Sequence, residues 1–350
     1  MENEQAIRGQ TSFKNKLKNY ICSLARKEAI VNILAEEQKK LFEQGISEEE
    51  YNNRNKRFLE LYYHLRNKDE NGFLGKLSLK TRKRLHKIVL LVYIIKNRLG
   101  GFSYELIGDE REKTDRPIIF AVSHVGKFDI EVISEAIKDH YYLLSGDYEH
   151  IQGIIDAPFL AVNGVIYFNE RVKDDRATVS QRMINHLRDG GNLMYFPEGT
   201  WNMTPNLPML PCYWGIVDVA QKSNAVIVPV AADQYGKKFK INIGSNFDMS
   251  IYGNTKEEKA KAITDLRDVL STLKWEIWET ELQMRSNLQG NEWKQYCVDR
   301  FREWPYFSLE YIDGLIFKPK GVVTAKEAYS HLDTLVPSAA NAFLFNKRLR

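Results

Sequence analysis

The run Ser123-His124-Val125-Gly126-Lys127-Phe128-Asp129 puts a histidine just past a strand-like segment and an aspartate five residues later, where a helix begins. Folded back on itself, such a loop lets the carboxylate accept from one imidazole nitrogen, fix the tautomer and leave the other nitrogen as a base. A base held this way deprotonates a hydroxyl as it attacks a carbonyl, which contributes about 10²–10⁴ in rate. The H-x-x-x-x-D spacing alone fits a structural histidine capping a helix equally well. A metal would need at least a third ligand, and no nearby His, Cys or Asp spacing supplies one. Three further segments end at the same kind of place. Phe196-Pro197-Glu198-Gly199-Thr200 follows a strand; it brings Glu198 to the sheet edge, with Gly199 allowing close backbone approach to a ligand, or it is a simple turn. Asn163 to Arg171 reads as a strand delivering Arg171, a residue type suited to bidentate contact with phosphate, or merely a solvated surface arginine. Ile227-Val228-Pro229-Val230 is a strand whose proline points to a sheet edge rather than to chemistry.

The elements that must position these residues follow from apolar periodicity. Strands are expected over 117–122, 141–144, 163–168, 192–196, 225–231 and 239–243, with helices over 130–138, 174–188 and 214–222. That alternation implies an α/β fold with a mostly parallel central sheet flanked by helices. Residues beyond the carboxyl ends of parallel strands are where ligands collect, which is where His124, Glu198 and Arg171 fall. Four regions are expected: a helical N-terminal extension over 1–75, a basic apolar segment over 76–104, the α/β domain over 105–254, and a C-terminal helix with a mixed aromatic-rich region over 255–350. Capping boxes at Ser47/Glu50 and Thr255/Glu258 mark two of the helix starts. Trp293, Trp304, Tyr306, Phe307 and Tyr311 read as core more readily than as a ligand box.

The 350 residues are 43% hydrophobic and 27% charged, with a net charge of +4, an ordinary globular composition compatible with an acidic partner without demanding one. Cys22, Cys212 and Cys297 are too few and too scattered for a disulfide framework, and the polar N-terminus lacks the apolar stretch of a leader, so a reducing, cytoplasmic setting is the expectation. No stretch approaches the roughly 20 apolar residues that span a bilayer. Ile88 to Ile95 is a short apolar run in a field of Lys76, Lys80, Arg82, Lys83, Arg84, Lys87, Lys96 and Arg98, with no acidic residue between Lys76 and Tyr104. It reads either as a segment lying on an anionic membrane surface or as a buried helix with basic ends. Basic residues flank this run rather than interleaving with exposed aromatics, which argues against nucleic acid.

In order and spacing, the four segments from about Asp115 to Asp248 resemble the glycerol-3-phosphate and lysophospholipid acyltransferase family. His124 and Asp129 match its H-x-x-x-x-D block, Gly164 to Arg171 its second, Phe196-Pro197-Glu198-Gly199-Thr200 its third and Val228-Pro229-Val230 its fourth. The resemblance implies His124 as general base, Asp129 as its orienter, and direct attack of an acceptor hydroxyl on the thioester of acyl-CoA or an acyl-carrier protein as co-substrate. No metal, cofactor or covalent enzyme intermediate is implied. Gly126 would lie near the oxyanion, with backbone N–H groups there as its donors; Glu198, Gly199 and Thr200 would help hold the acceptor, and Arg171 would meet its anionic part. A lysolipid or polyol acceptor and a peripheral position on the inner membrane face follow. The match breaks at Trp201 and Asn202, where the family has Arg and a small residue, and at Tyr213-Trp214, where it often has Lys. Two cations are missing, each worth about 1.5–3 kcal/mol as a charge-assisted hydrogen bond, unless Arg171 and a base such as Arg176 compensate. Trp201 and Trp214 suit a sugar ring or an acyl groove, so a glycan or cell-envelope O-acyltransferase is the alternative, with a non-catalytic membrane-associated binding protein behind it.

Overall fold

The computed structural model describes residues 60, 63, 64, 66, 67, 69–146, 157–169, 172–204, 207–280, 291–304, 307 and 309–317. Most of the expected N-terminal extension, Arg171 and the last residues of the chain lie outside the described residues.

The first full element is α1 (Leu79–Gly100). Ser78 caps it by accepting from the Thr81 N–H, and Gly101 closes it at φ 76°, a left-handed conformation that glycine adopts without strain. One face is buried through Arg82, His86, Val89, Tyr93 and Asn97. Arg82 spends its donors on the backbone carbonyls of Leu74, Gly75, Ala161 and Val162, so this charge pins the helix to the body of the protein. The opposite face leaves Ile88, Leu91, Ile95 and Leu99 exposed. The helix is therefore buried along one face and exposes an apolar stripe on the other.

The chain continues through β1 (Ser103–Asp109), β2 (Ile118–Val122), α2 (Asp129–Ile137), β3 (Tyr142–Ser145), α3 (Ala157–Asn163), β4 (Val165–Tyr167), α4 (Lys173–Arg188), β5 (Leu193–Tyr195), α5 (Gly215–Ser223), β6 (Val226–Tyr235) and β7 (Lys238–Ile243). The seven strands form one sheet in the order β1-β7-β6-β2-β5-β3-β4. All pairings are parallel except the β6–β7 hairpin. The α/β class and mostly parallel sheet read from the sequence are what is found. Strand β1 was not anticipated, because Ser-Tyr-Glu-Leu-Ile-Gly-Asp at the sheet edge is half exposed and carries no apolar run. The short helix α3 takes up Asn163, so the strand expected from 163 begins only at Val165.

Strand β2 is buried on both faces, which its uninterrupted Ile-Ile-Phe-Ala-Val run requires. Ile119 and Ala121 pack with α4, α5 and the long helix α6 (Lys256–Thr280), while Phe120 and Val122 pack with α2 on the other side. A third cluster joins Trp201 and Met203 to Cys297, Trp304, Phe307, Tyr311 and Ile312, contributed by α7 (Asn291–Glu303), α8 (Leu309–Leu315) and the turn between them.

Candidate active site

Because β2 runs parallel to both β5 and β6, the residues that follow β2 and β5 emerge at the same end of the sheet. Ser123 fixes the exit of β2: its N–H donates to Val230 O, and its hydroxyl donates to Ala232 O and accepts from the Ala232 N–H. His124 then leaves the sheet in a set direction. Its N–H donates to Glu198 Oε1 at 3.0 Å, and its carbonyl accepts from the Asn202 N–H at 2.9 Å. The loop after β5 therefore holds the His124 backbone from both ends of the residue.

Asp129, the first residue of α2, is fully buried. Its Oδ2 accepts from three donors: His124 Nδ1 at 2.7 Å, the Val125 N–H at 3.0 Å and the Gly126 N–H at 3.2 Å. The carboxylate thus shapes the turn and orients the ring together. With Nδ1–H committed to Asp129, the neutral imidazole carries its lone pair on Nε2. The ring is stacked on Phe196 (centroids 4.1 Å apart) and meets Trp201 edge-on at 6.1 Å. Those contacts restrict its rotation, as a base fixed for in-line proton removal requires. The Gly126 N–H, close to where an oxyanion was expected, is turned toward Asp129 Oδ2.

Glu198 is completely buried and uses both oxygens on backbone, accepting from His124 N–H and, at 2.8 Å, from Leu210 N–H. Burial raises its pKa, opposed chiefly by the nearby Lys274 ammonium and then by these two N–H groups. Lys274, itself buried, donates to Ala232 O at 2.6 Å, so the same α6 side chain supports the partner of Ser123. Gly199 sits at φ 72°, and a Cβ there would meet the Tyr213 ring at 2.5 Å, so this turn requires glycine.

Above the dyad is a cavity of about 500 Å³, within the usual range for ligand sites. Of the expected site residues, His124, Gly126, Asp129 and Gly199 line it; Glu198 and Thr200 are buried behind it and do not. Its deeper wall is aliphatic, from Leu143, Leu144, Leu160, Val179 and Met183. Aromatic rings of Phe196, Trp201, Tyr213, Trp214, Trp304 and Phe307 surround the remainder, with Lys127 and Arg176 as the cations. Trp304, Phe307 and Leu315 escaped the sequence reading because their apolar character signals only burial. The hydrogen bond from Tyr213 Oη to Leu315 O, at 3.1 Å, that helps hold α8 over the mouth has no sequence signature. A shallower hollow of about 730 Å³ lies along the basic end of α1, against Lys80, Lys83, Arg84, Lys87 and Asp189, with no histidine in its lining.

Burial pushes the Cys212 thiol up and raises Cys297 to about 12, so neither offers a thiolate nucleophile. Among the described residues no group of three or more His, Cys, Asp or Glu is arranged to hold a metal ion. A fixed neutral base over an apolar cavity suits removal of a proton from a hydroxyl nucleophile. Residues 103–233 match the family model described as Acyltransferase, a span that contains the whole His124–Asp129 loop, Glu198 and Gly199. The chain carries an acyltransferase domain. Strands β1 to β5 and most of β6 belong to this acyltransferase domain, whereas α1, α6, α7 and α8 lie outside it. The chain is also similar to the 1-acyl-sn-glycerophosphate (LPA) acyltransferase PlsC from Thermotoga maritima, at 15% identity over 67% of this chain and 96% of that one, with a TM-score of 0.43. No curated protein matches the sequence.

Proposed function

We propose that the protein moves a fatty acyl group from a thioester, acyl-CoA or an acyl-carrier protein, to the hydroxyl of a lysophospholipid or glycerol-phosphate-like acceptor. The observation that carries this is the 2.7 Å His124–Asp129 pair opening onto a cavity with an aliphatic inner wall. His124 Nε2 takes the acceptor proton as the hydroxyl oxygen bonds to the thioester carbon. The tetrahedral intermediate collapses with cleavage of the C–S bond, and the imidazolium returns the proton to the departing thiolate, so the base is regenerated in each turnover. Buried Asp129 stabilises the transient imidazolium without taking its proton.

The acceptor is met at a lipid surface in this reading. Ile88, Leu91, Ile95 and Leu99 recur at helical spacing on the exposed face of α1, and Lys80, Lys83, Arg84 and Lys87 precede them. An apolar stripe beside clustered cations suits an interface of anionic lipid. No helix among the described residues is long and apolar enough to cross a membrane. Peripheral attachment on the cytoplasmic face is therefore part of the proposal. One observation favours a second acceptor class: Trp201 and Trp214 line the cavity where the family has cations, and stacked rings suit a neutral sugar or polyol.

The test is thiol release from a long-chain acyl-CoA, or from acyl-carrier protein, with lysophosphatidate, glycerol 3-phosphate and a neutral glycan offered in turn. Release that depends on a phosphorylated acceptor supports the leading reading, and release with the glycan alone supports the second. No acceptor-dependent release from either donor would sink both.

A further inference from the structure

Lys127 is the third residue after the base, and it has two properties unusual for a lysine beside a catalytic histidine. Its ammonium lies 5.1 Å from the centroid of Phe128 and 5.5 Å from that of Trp304, held between two ring faces. No carboxylate among the described residues pairs with it, whereas Lys96 pairs with Glu131 and Lys259 with Asp218. It also lines the same cavity as His124. Aromatic faces stabilise a partly desolvated ammonium while leaving its three N–H donors unspent, whereas a carboxylate would consume them. A half-buried cation with free donors on the wall of a reaction cavity is a receptor for an anion. The position also answers the charge deficit at Trp201 and Trp214, because Lys127 supplies from the base loop a cation that those positions lack.

We propose that Lys127, clamped by Phe128 and Trp304, is the phosphate-contacting residue of this site. This rests on the acyl-transfer reading. It also gives the C-terminal segment a part in specificity, since Trp304 lies outside residues 103–233 yet forms one jaw of the clamp. The phosphate can come from the acceptor or from the nucleotide and pantetheine part of the donor, and the two sources are separable. Lysophosphatidate is compared with monoacylglycerol, and acyl-CoA with the corresponding N-acetylcysteamine thioester, which carries no phosphate.

In the full-length chain, Lys127→Gln is expected to raise KM about 10–100-fold for the phosphate-bearing member of one pair. Its kcat and its KM for the phosphate-free member should change little. A shift confined to lysophosphatidate assigns the phosphate to the acceptor, and one confined to acyl-CoA assigns it to the donor. Lys127→Arg keeps the charge and should retain most of the affinity, which separates recognition from misfolding. Lys222→Gln on the exposed end of α5 should change none of these values. An equal fall in kcat with all four substrates would place Lys127 at the oxyanion and overturn the proposal, as would unchanged kinetics. If the wild-type chain turns over no substrate, the acyl-transfer reading fails. Quenching of tryptophan fluorescence by glycerol 3-phosphate then decides the phosphate site separately: it survives if quenching is lost in Lys127→Gln and falls if quenching is absent or unaltered.

Discussion

The two sides of the cavity are built in opposite ways. On one side, residues 123–129 form a short loop whose polar groups are tied locally: Asp129 Oδ2 gathers three donors from within five residues, and Glu198 secures the His124 N–H. On the other side, Trp201 packs against Phe307, ring centroids 4.7 Å apart, across about a hundred residues of sequence and within a buried apolar cluster. Directional hydrogen bonds fix the orientation of the base, and apolar packing fixes shape while tolerating substitution of similar volume. On the proposed reading, reaction type is concentrated in the first side, and substrate choice draws on the second side together with Lys127. A change in one should leave the other's contribution largely intact.

The largest effect that would sharpen this division comes from Asp129→Asn. The amide keeps the size of the side chain but loses the charge that orients Nδ1–H and supports the imidazolium, and kcat is expected to fall by about 10³–10⁴. Steady-state kinetics beside a thermal melt checks it; a fall below tenfold would remove Asp129 from the account. Next, Phe307→Ala opens a hole between Trp201 and Tyr311, centroids 4.7 and 5.2 Å away, and is expected to cost about 3 kcal/mol. Chemical denaturation measures the loss, while kcat with a small phosphate-bearing acceptor should stay within about threefold, because the dyad is held by other bonds. A parallel collapse of kcat would mean that the two sides are one unit.

Ring for ring, the smallest effect concerns acid. Burial pushes His140 and His186 down to about 4, from an ordinary value of 6.5. The unfolded chain therefore takes up protons first as pH falls through 6.5, and stability declines until the folded rings titrate near 4. The slope reaches about 1.4 kcal/mol per pH unit for each ring. Denaturation midpoints at pH 7 and pH 5 should show that decline, with a shallower one in His140→Gln. If activity is lost in acid while the midpoint holds, the loss belongs to the base and not to the scaffold.

What the sequence disclosed follows the same division. His124, Asp129 and Gly199 were legible because their chemistry lies in short spacings that survive folding unchanged, and the strand runs that carry them are almost wholly apolar. Glu198 was legible as important but not in its manner: only the fold shows both of its oxygens turned to backbone, behind the cavity. Strand β1 escaped because an edge strand needs only one covered side. Lys127 stood inside the recognised motif, yet its significance depends on Trp304, which no local spacing connects to it. Trp304 and Phe307 looked like core, and they are core; that they also wall the cavity is a fact of tertiary packing.

Replacing His124 by Ala tests most directly whether this imidazole is the base. Acyl transfer from acyl-CoA to the preferred acceptor should fall by at least about 10³-fold in kcat, with the thermal midpoint and acceptor binding close to wild type. Transfer within tenfold of wild type in a folded His124→Ala protein would contradict the account and assign the dyad to structure alone.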